Sequence, residues 1–186
     1  SPNVGPKVAP GKYNIKMTYN DQILQKEFEI VKDPRVKISQ ADYQDQLEFL
    51  INVRDEVSRA NQKIIDIRNI KNNMTFIRDK SSNNLELQEL INKYLTDISE
   101  IENNIHMTKN QSRQDPLNYG IRINNRIAFL LADSQRGDYP PTDQSKEFFI
   151  QIKKELDTEI LKLDALIDKH SQKIENYIEE NKIELI

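Results

Sequence analysis

The chain reads as a mainly α protein: an antiparallel four-helix bundle with long helices, preceded by a β-hairpin. Three observations predict this. From Ser39 onward apolar residues recur mostly at three- and four-residue steps, the spacing that puts them on one face of a helix. Only residues 12–31 alternate apolar and polar with period two, as half-buried strands do. Of the 186 residues, 31% are charged and 37% apolar, which suits amphipathic helices better than a thick globular core.

Residues 1–11 carry Pro2, Gly5, Pro6, Pro10 and Gly11 and are expected to be an extended lead-in. Tyr13, Ile15, Met17 and Tyr19 then alternate with Lys12, Asn14, Lys16 and Thr18. Asn20-Asp21 suits a two-residue hairpin turn, since both residue types tolerate a left-handed backbone. A second strand follows through Leu24, Phe28 and Ile30, and Asp33-Pro34 ends it. Two strands bury no face alone. The apolar hairpin face is therefore expected to rest on the helices or on another copy of the chain.

Ser39 and Asp42 have capping-box spacing, with aspartate in the acidic place. Leu50, Val53, Val57, Ala60, Ile64, Ile67, Met74 and Ile77 then make one stripe of roughly ten helical turns. Lys80-Ser81-Ser82-Asn83-Asn84 breaks it. Leu87, Ile91, Tyr94, Ile98, Ile101 and Ile105 follow with heptad steps, so this helix is expected to run back along the first. Polar residues from Lys109 to Gln114 form the next loop.

The least charged helix is predicted over 116–136. Asp115 is expected to cap it with its carboxylate, Pro116 has no N–H to leave unpaired, and Leu117, Ile123, Ile127, Leu130 and Leu131 mark its apolar side. Gly137 is expected to close it, and Tyr139-Pro140-Pro141-Thr142 turns the chain. Thr142 then caps a last helix striped by Phe149, Ile152, Leu156, Ile160, Leu163, Leu166, Ile167, His170, Ile174 and Tyr177. The expected division is a hairpin part, 1–36, and a helical part, 37–186, with helices over about 39–79, 84–108, 116–136 and 142–181.

Several chemistries lack their residues in this sequence. Twenty-seven basic against 30 acidic residues, net −3, give no electrostatic case for nucleic acid. With no cysteine there is no disulfide framework, thiolate zinc site or cysteine nucleophile. A di-iron bundle needs Glu-x-x-His, but Asn103 and Ile167 stand three residues before His106 and His170. No Gly-x-Ser-x-Gly occurs, and four glycines in all leave no phosphate-cradling loop. No apolar run reaches the roughly 18 residues of a membrane span, and no signal peptide is visible. No catalytic, cofactor-binding or metal-binding residue is therefore assigned, and no cofactor is expected. Acidic residues read as solvated helix faces, and His170 as a core or boundary histidine.

One cluster remains. Arg122, Asn124, Asn125, Arg126, Gln135 and Arg136 crowd an otherwise apolar helix. They suit a ligand or domain-docking surface, or a structural role in which amides satisfy loop carbonyls at helix ends. The structural role is preferred.

Two stretches together resemble a known family. PGKYNIKMTYNDQILQKEFEIVKDPRV, residues 10–36, resembles the last two strands of an immunoglobulin-like module ending in Asp33-Pro34-Arg35. PLNYGIRINNRIAFLLADSQRGDYPPT, residues 116–142, with the helix after it, is similar to the helical C-terminal region of secreted bacterial BNR/Asp-box repeat proteins. These are sialidase-like or sortilin-like β-propeller proteins, often labelled glycosyl hydrolases. The shared motifs are Leu117-Asn118-Tyr119, Gly137-Asp138 and Pro141-Thr142; Gly120 stands where the family pattern has proline. The chain holds no Asp-box and no tryptophan, so no glycosidase residue of a parent maps onto it.

The resemblance implies an upstream propeller and a secreted or periplasmic location, and the start at Ser1-Pro2 instead of methionine suggests a piece of a longer protein. The expected function is a non-catalytic C-terminal accessory or interaction module. Its expected partners are the upstream domains of the same protein and, through the hairpin, a second copy. The alternatives are a small carbohydrate-active enzyme with helix-end carboxylates and a coiled-coil partner-binding protein.

Overall fold

A computed structural model describes residues 5–81, 83–112 and 114–183. Pro2 of the lead-in, and Ser82 and Arg113 of the two predicted loops, lie outside the described residues. The chain is mainly helical, with an antiparallel pair of strands at its N-terminal end followed by long helices. The elements are β1 (Gly11–Tyr19), β2 (Gln22–Ile30), α1 (Gln40–Lys80), α2 (Leu85–Ile105), α3 (Pro116–Tyr119), α4 (Ile123–Ser134) and α5 (Asp143–Glu180).

The hairpin forms as its alternation and turn residues dictate. Asn20 and Asp21 both have positive φ, 44° and 62°, as the two central residues of a type I′ turn require. The register pairs Tyr13 with Phe28, Ile15 with Lys26, Met17 with Leu24 and Tyr19 with Gln22. The Tyr13 and Phe28 rings lie 5.8 Å apart, tilted. The face is not covered by the other described residues: Ile15, Met17, Tyr19 and Leu24 are more than half exposed.

Local chemistry sets the starts of α1, α2 and α5. The Ser39 amide donates to Asp42 Oδ2 at 2.9 Å and the Asp42 amide to Ser39 Oγ at 3.1 Å, the reciprocal capping box, and α1 begins there. Asn84 Oδ1 accepts from the Leu87 amide at 3.0 Å and starts α2. Thr142 Oγ1 accepts from the Ser145 amide at 3.1 Å and starts α5.

The segment 116–136 departs from the expected single helix. Gly120 takes φ 74° and ψ 175°, a conformation closed to proline and costly for other side chains, and it separates a single turn, α3, from α4. The Asp115 carboxylate makes no cap for that turn; it folds back to accept from the amides of Gln111 and Ser112. Leu117 is consequently exposed, not part of a buried stripe. At the other end α4 stops at Ser134, before Gly137. Gln46 explains the earlier stop: its buried side-chain amide donates to Ser134 O at 2.9 Å and Gly137 O at 2.8 Å, satisfying carbonyls that a longer helix would have used.

The chain packs as two compact units. The first contains the hairpin, the start of α1 as far as Asp55, and Ala128–Phe148. Within it the Gln40 side chain donates to Pro10 O at 2.8 Å, and Lys7 pairs with Asp138, whose other oxygen lies 3.4 Å from the Tyr43 hydroxyl. The second contains Glu56–Ile127 and the chain from Phe149. Its polar contacts give the helix directions. Arg78 lies beside Asn92 and Arg68 beside Glu102, so α1 and α2 are antiparallel. Asn104 meets Glu159 and Tyr177 meets Glu86, so α2 and α5 are antiparallel too. Glu56 meets Lys153 and Lys63 meets Asp164, so α1 and α5 run the same way.

The predicted core is where the stripes place it. Leu87, Ile91, Tyr94, Ile98, Ile101 and Ile105 are all buried, as are Ile64, Ile127 and Leu163, whereas Val57, Met74 and Ile77 of α1 and Phe149, Leu166, Ile167 and Tyr177 of α5 are only half-buried. Ile98 is fully buried. Ile98→Ala is expected to lower the free energy of unfolding by about 2–5 kcal/mol in urea titration, and a loss near zero would show that the α2 stripe is not a packed seam.

Candidate functional site

The residues best placed for chemistry gather in the second unit, where α2 ends beside α1, α4 and α5. Glu102 is the central one. It lies four residues after Ile98 and therefore on the same side of α2, and its side chain is 3% exposed. Arg68 Nε donates to it at 3.0 Å and Lys71 Nζ at 2.8 Å. Burial pushes the Glu102 carboxyl up, and the hydrogen bonds of Lys71 and Arg68 more than reverse this, holding it below the ordinary glutamate range.

Several other polar side chains of this unit are also engaged. Glu159, buried on α5, accepts from Asn104 Nδ2 at 3.1 Å and from Lys162 at 2.7 Å. Thus Glu102 and Glu159 depart from the expectation of solvated acidic faces, because each has cationic or amide donors to meet it. Asn124 Nδ2 lies 3.1 Å from His106 Nδ1. Arg126 binds both oxygens of Glu155, holding the Glu155 carboxyl below its ordinary range. Arg68 borders two cavities. One, of about 320 Å³, is lined also by Lys71, Asn72, Ser99, Glu102 and Thr108; the other, of about 220 Å³, by Asn61, Ile64, Ile65, His106 and Asn124.

Arg122, Asn124, Asn125 and Arg126 belong to the second unit and Gln135 and Arg136 to the first. Asn124 and Arg126 are tied to His106 and Glu155, Arg122 Nε is buried with no hydrogen-bond partner, and Asn125 is exposed. Gln135 is half-buried, and Arg136 is exposed, 3.7 Å from Asp133. Sequence reasoning missed Glu102 and Gln46. A signal existed for both, since each sits at a stripe position, four residues from Ile98 and from Leu50.

His170 is buried at its stripe position, stacked on Tyr94 with ring centroids 4.8 Å apart and planes 5° from parallel. Its Nε2 lies 3.4 Å from Asp97 Oδ2 without a well-aligned hydrogen bond. Burial pulls its pKa below the ordinary value; Asp97 opposes this, and Lys169 and Lys93 reinforce it.

A different kind of surface lies in the first unit. Tyr13, Ile15, Met17, Tyr19, Leu24 and Phe28 share one face of the hairpin by register, five of them well exposed and Tyr13 half-buried. Lys26 and Gln22 share this face, and an exposed apolar surface rimmed by polar residues is the type that marks a contact site. A groove of about 300 Å³ lies elsewhere in this unit, lined by Phe129, Leu130, Asp133, Gln144, Ser145 and Phe148.

No protein-family model, no curated protein and no solved structure matches the chain.

Two outcomes test this geometry. Glu102→Gln, which keeps the shape and removes the charge, is expected to cost about 1–3 kcal/mol of stability at pH 7 in urea unfolding, and no loss would sink the role given to the ion pair. For His170 the folded chain holds the ring neutral while the unfolded chain takes up a proton near the ordinary pKa of 6.5. Stability is then fully present above 6.5 and falls as pH drops through the lower folded value. Unfolding midpoints should decline as pH falls below about 6.5, and His170→Phe should flatten the decline. An unchanged slope in that variant would assign it to another group.

Proposed function

We propose that the chain is a non-catalytic accessory and assembly module, working by surface contact within a secreted or periplasmic BNR/Asp-box repeat protein whose propeller lies upstream. The exposed apolar face of β1 and β2 is the observation that carries this reading. A two-stranded sheet with Ile15, Met17, Tyr19 and Leu24 in water is unfavourable until another surface covers it. Covering is the module's task. The finer structural readings belong to the same proposal: the hairpin closes an immunoglobulin-like module, and the helices form a four-helix bundle with 116–136 filling one end.

The competing readings have less support. A carbohydrate-active enzyme needs two available carboxyl groups flanking a cleft. Here Glu102 is engaged by Arg68 and Lys71, and Glu155 by Arg126. A coiled-coil partner would need the heptad positions of α2, and those are already buried.

The test is calorimetric titration of the preceding polypeptide of the parent protein with this chain. Binding is expected, and Met17→Lys with Leu24→Lys should weaken it at least about tenfold, the equivalent of one well-packed contact. No binding, or binding indifferent to these substitutions, would overturn the proposal.

A further inference from the structure

We propose that β1 is a self-pairing edge: two copies of the chain join β1 to β1, antiparallel, about a two-fold axis at Ile15, to make one four-stranded sheet. This rests on the reading of the hairpin as the contact surface and names a second copy as what meets its edge. The sheet has only β1 and β2, so among the described residues the outer side of each strand is unpaired. Unpaired edges recruit strands.

The turn decides which amides are available. A two-residue turn makes its closing pair, Tyr19 and Gln22, a hydrogen-bonded pair. Odd-numbered residues of β1 therefore turn their amides and carbonyls toward β2, and Lys12, Asn14, Lys16 and Thr18 turn theirs outward. A second β1 bonding to these, with both apolar faces on the same side, must centre on a single residue near the middle of the strand.

Charge then selects the register. Centred on Asn14, Lys12 stands opposite Lys16; centred on Lys16, Lys16 stands opposite itself. Centred on Ile15, Lys12 faces Thr18 and Asn14 faces Lys16, so no like charges are directly opposed. On the apolar face Ile15 then meets Ile15 and Tyr13 meets Met17, pairs that stabilise a sheet. The two Lys16 residues remain diagonal neighbours, so association should strengthen with salt. The outer edge of β2 has no equal register. Centred on Lys26 or Glu27 it opposes identical charges, and centred on Gln25 it sets Lys26 against Leu24 and Glu27 against Ile23. A strand from the preceding polypeptide would compete for the β1 edge, and the experiment separates it from a second copy.

The chain has no cysteine, so an introduced one is the only thiol. Residues facing each other in a non-hydrogen-bonded antiparallel pair have Cα atoms about 4.5 Å apart, within disulfide range. Ile15→Cys should give a covalent dimer on mild oxidation, while Leu24→Cys, on the same face but on β2, should stay monomeric. Sedimentation of the unmodified chain should show a monomer–dimer equilibrium. Asn14→Lys should weaken it about threefold to tenfold by setting Lys against Lys16 twice per dimer. The same substitution faces Glu27 across the hairpin, so it should not unfold the hairpin itself. A chain monomeric at every concentration, or cross-linking no better at Ile15→Cys than at Leu24→Cys, would overturn the proposal. Should that happen while Met17→Lys with Leu24→Lys still weakens binding of the preceding polypeptide, the contact-surface reading survives and only self-pairing falls. An Ile15-specific dimer that ignores the preceding polypeptide would leave self-pairing standing and remove the accessory role.

Discussion

In the second unit the burial of one narrow seam along α2 governs what the neighbouring helices are able to do. The six heptad residues of α2 are all buried, and α2 runs antiparallel to both α1 and α5. A 21-residue helix has marginal stability in water without such packing, so the seam and the helix form together. The requirement extends to its partners. Ile64 and Ile67 on α1, and Ile152, Leu156 and Leu163 on α5, are buried at the helical spacing needed to cover such a seam.

Beside the seam the polar chemistry follows from the same geometry. A carboxylate four residues from Ile98 is carried inward with it, and burial alone would raise its pKa and favour its neutral form. Arg68 and Lys71 meet that carboxylate from the antiparallel helix, so the charge persists. Because Arg68 is half exposed, its share is screened by solvent and the pair acts chiefly to avoid an uncompensated buried charge. Glu159 with Asn104 and Lys162 repeats the pattern on α5. These contacts also fix direction, since an antiparallel pair brings residues from opposite ends of two helices together only in one alignment.

The hairpin is governed differently. Its register and turn are settled by local conformational preference, without a buried surface to enforce them. That leaves a well-specified but thinly supported element, whose apolar residues are exposed among the described residues. Helices that bury their own stripes and a sheet whose face stays exposed among the described residues therefore rest on different constraints.

Periodicity and capping residues by themselves determined the strands, the type of turn, the starts of α1 and α5, and the buried stripes. These are decided within one or two turns of chain, by the chain's own spacing. The break at Gly120 was less legible, because a glycine is compatible with either a helix or a reversal and only the surrounding path selects φ 74°. Tertiary structure alone ended α4 at Ser134, through a glutamine 88 residues away in sequence. It likewise made Glu102 an interior ion pair with Arg68 and Lys71. Such outcomes depend on which distant donor arrives beside a carbonyl or carboxylate, and local spacing carries no record of that arrival.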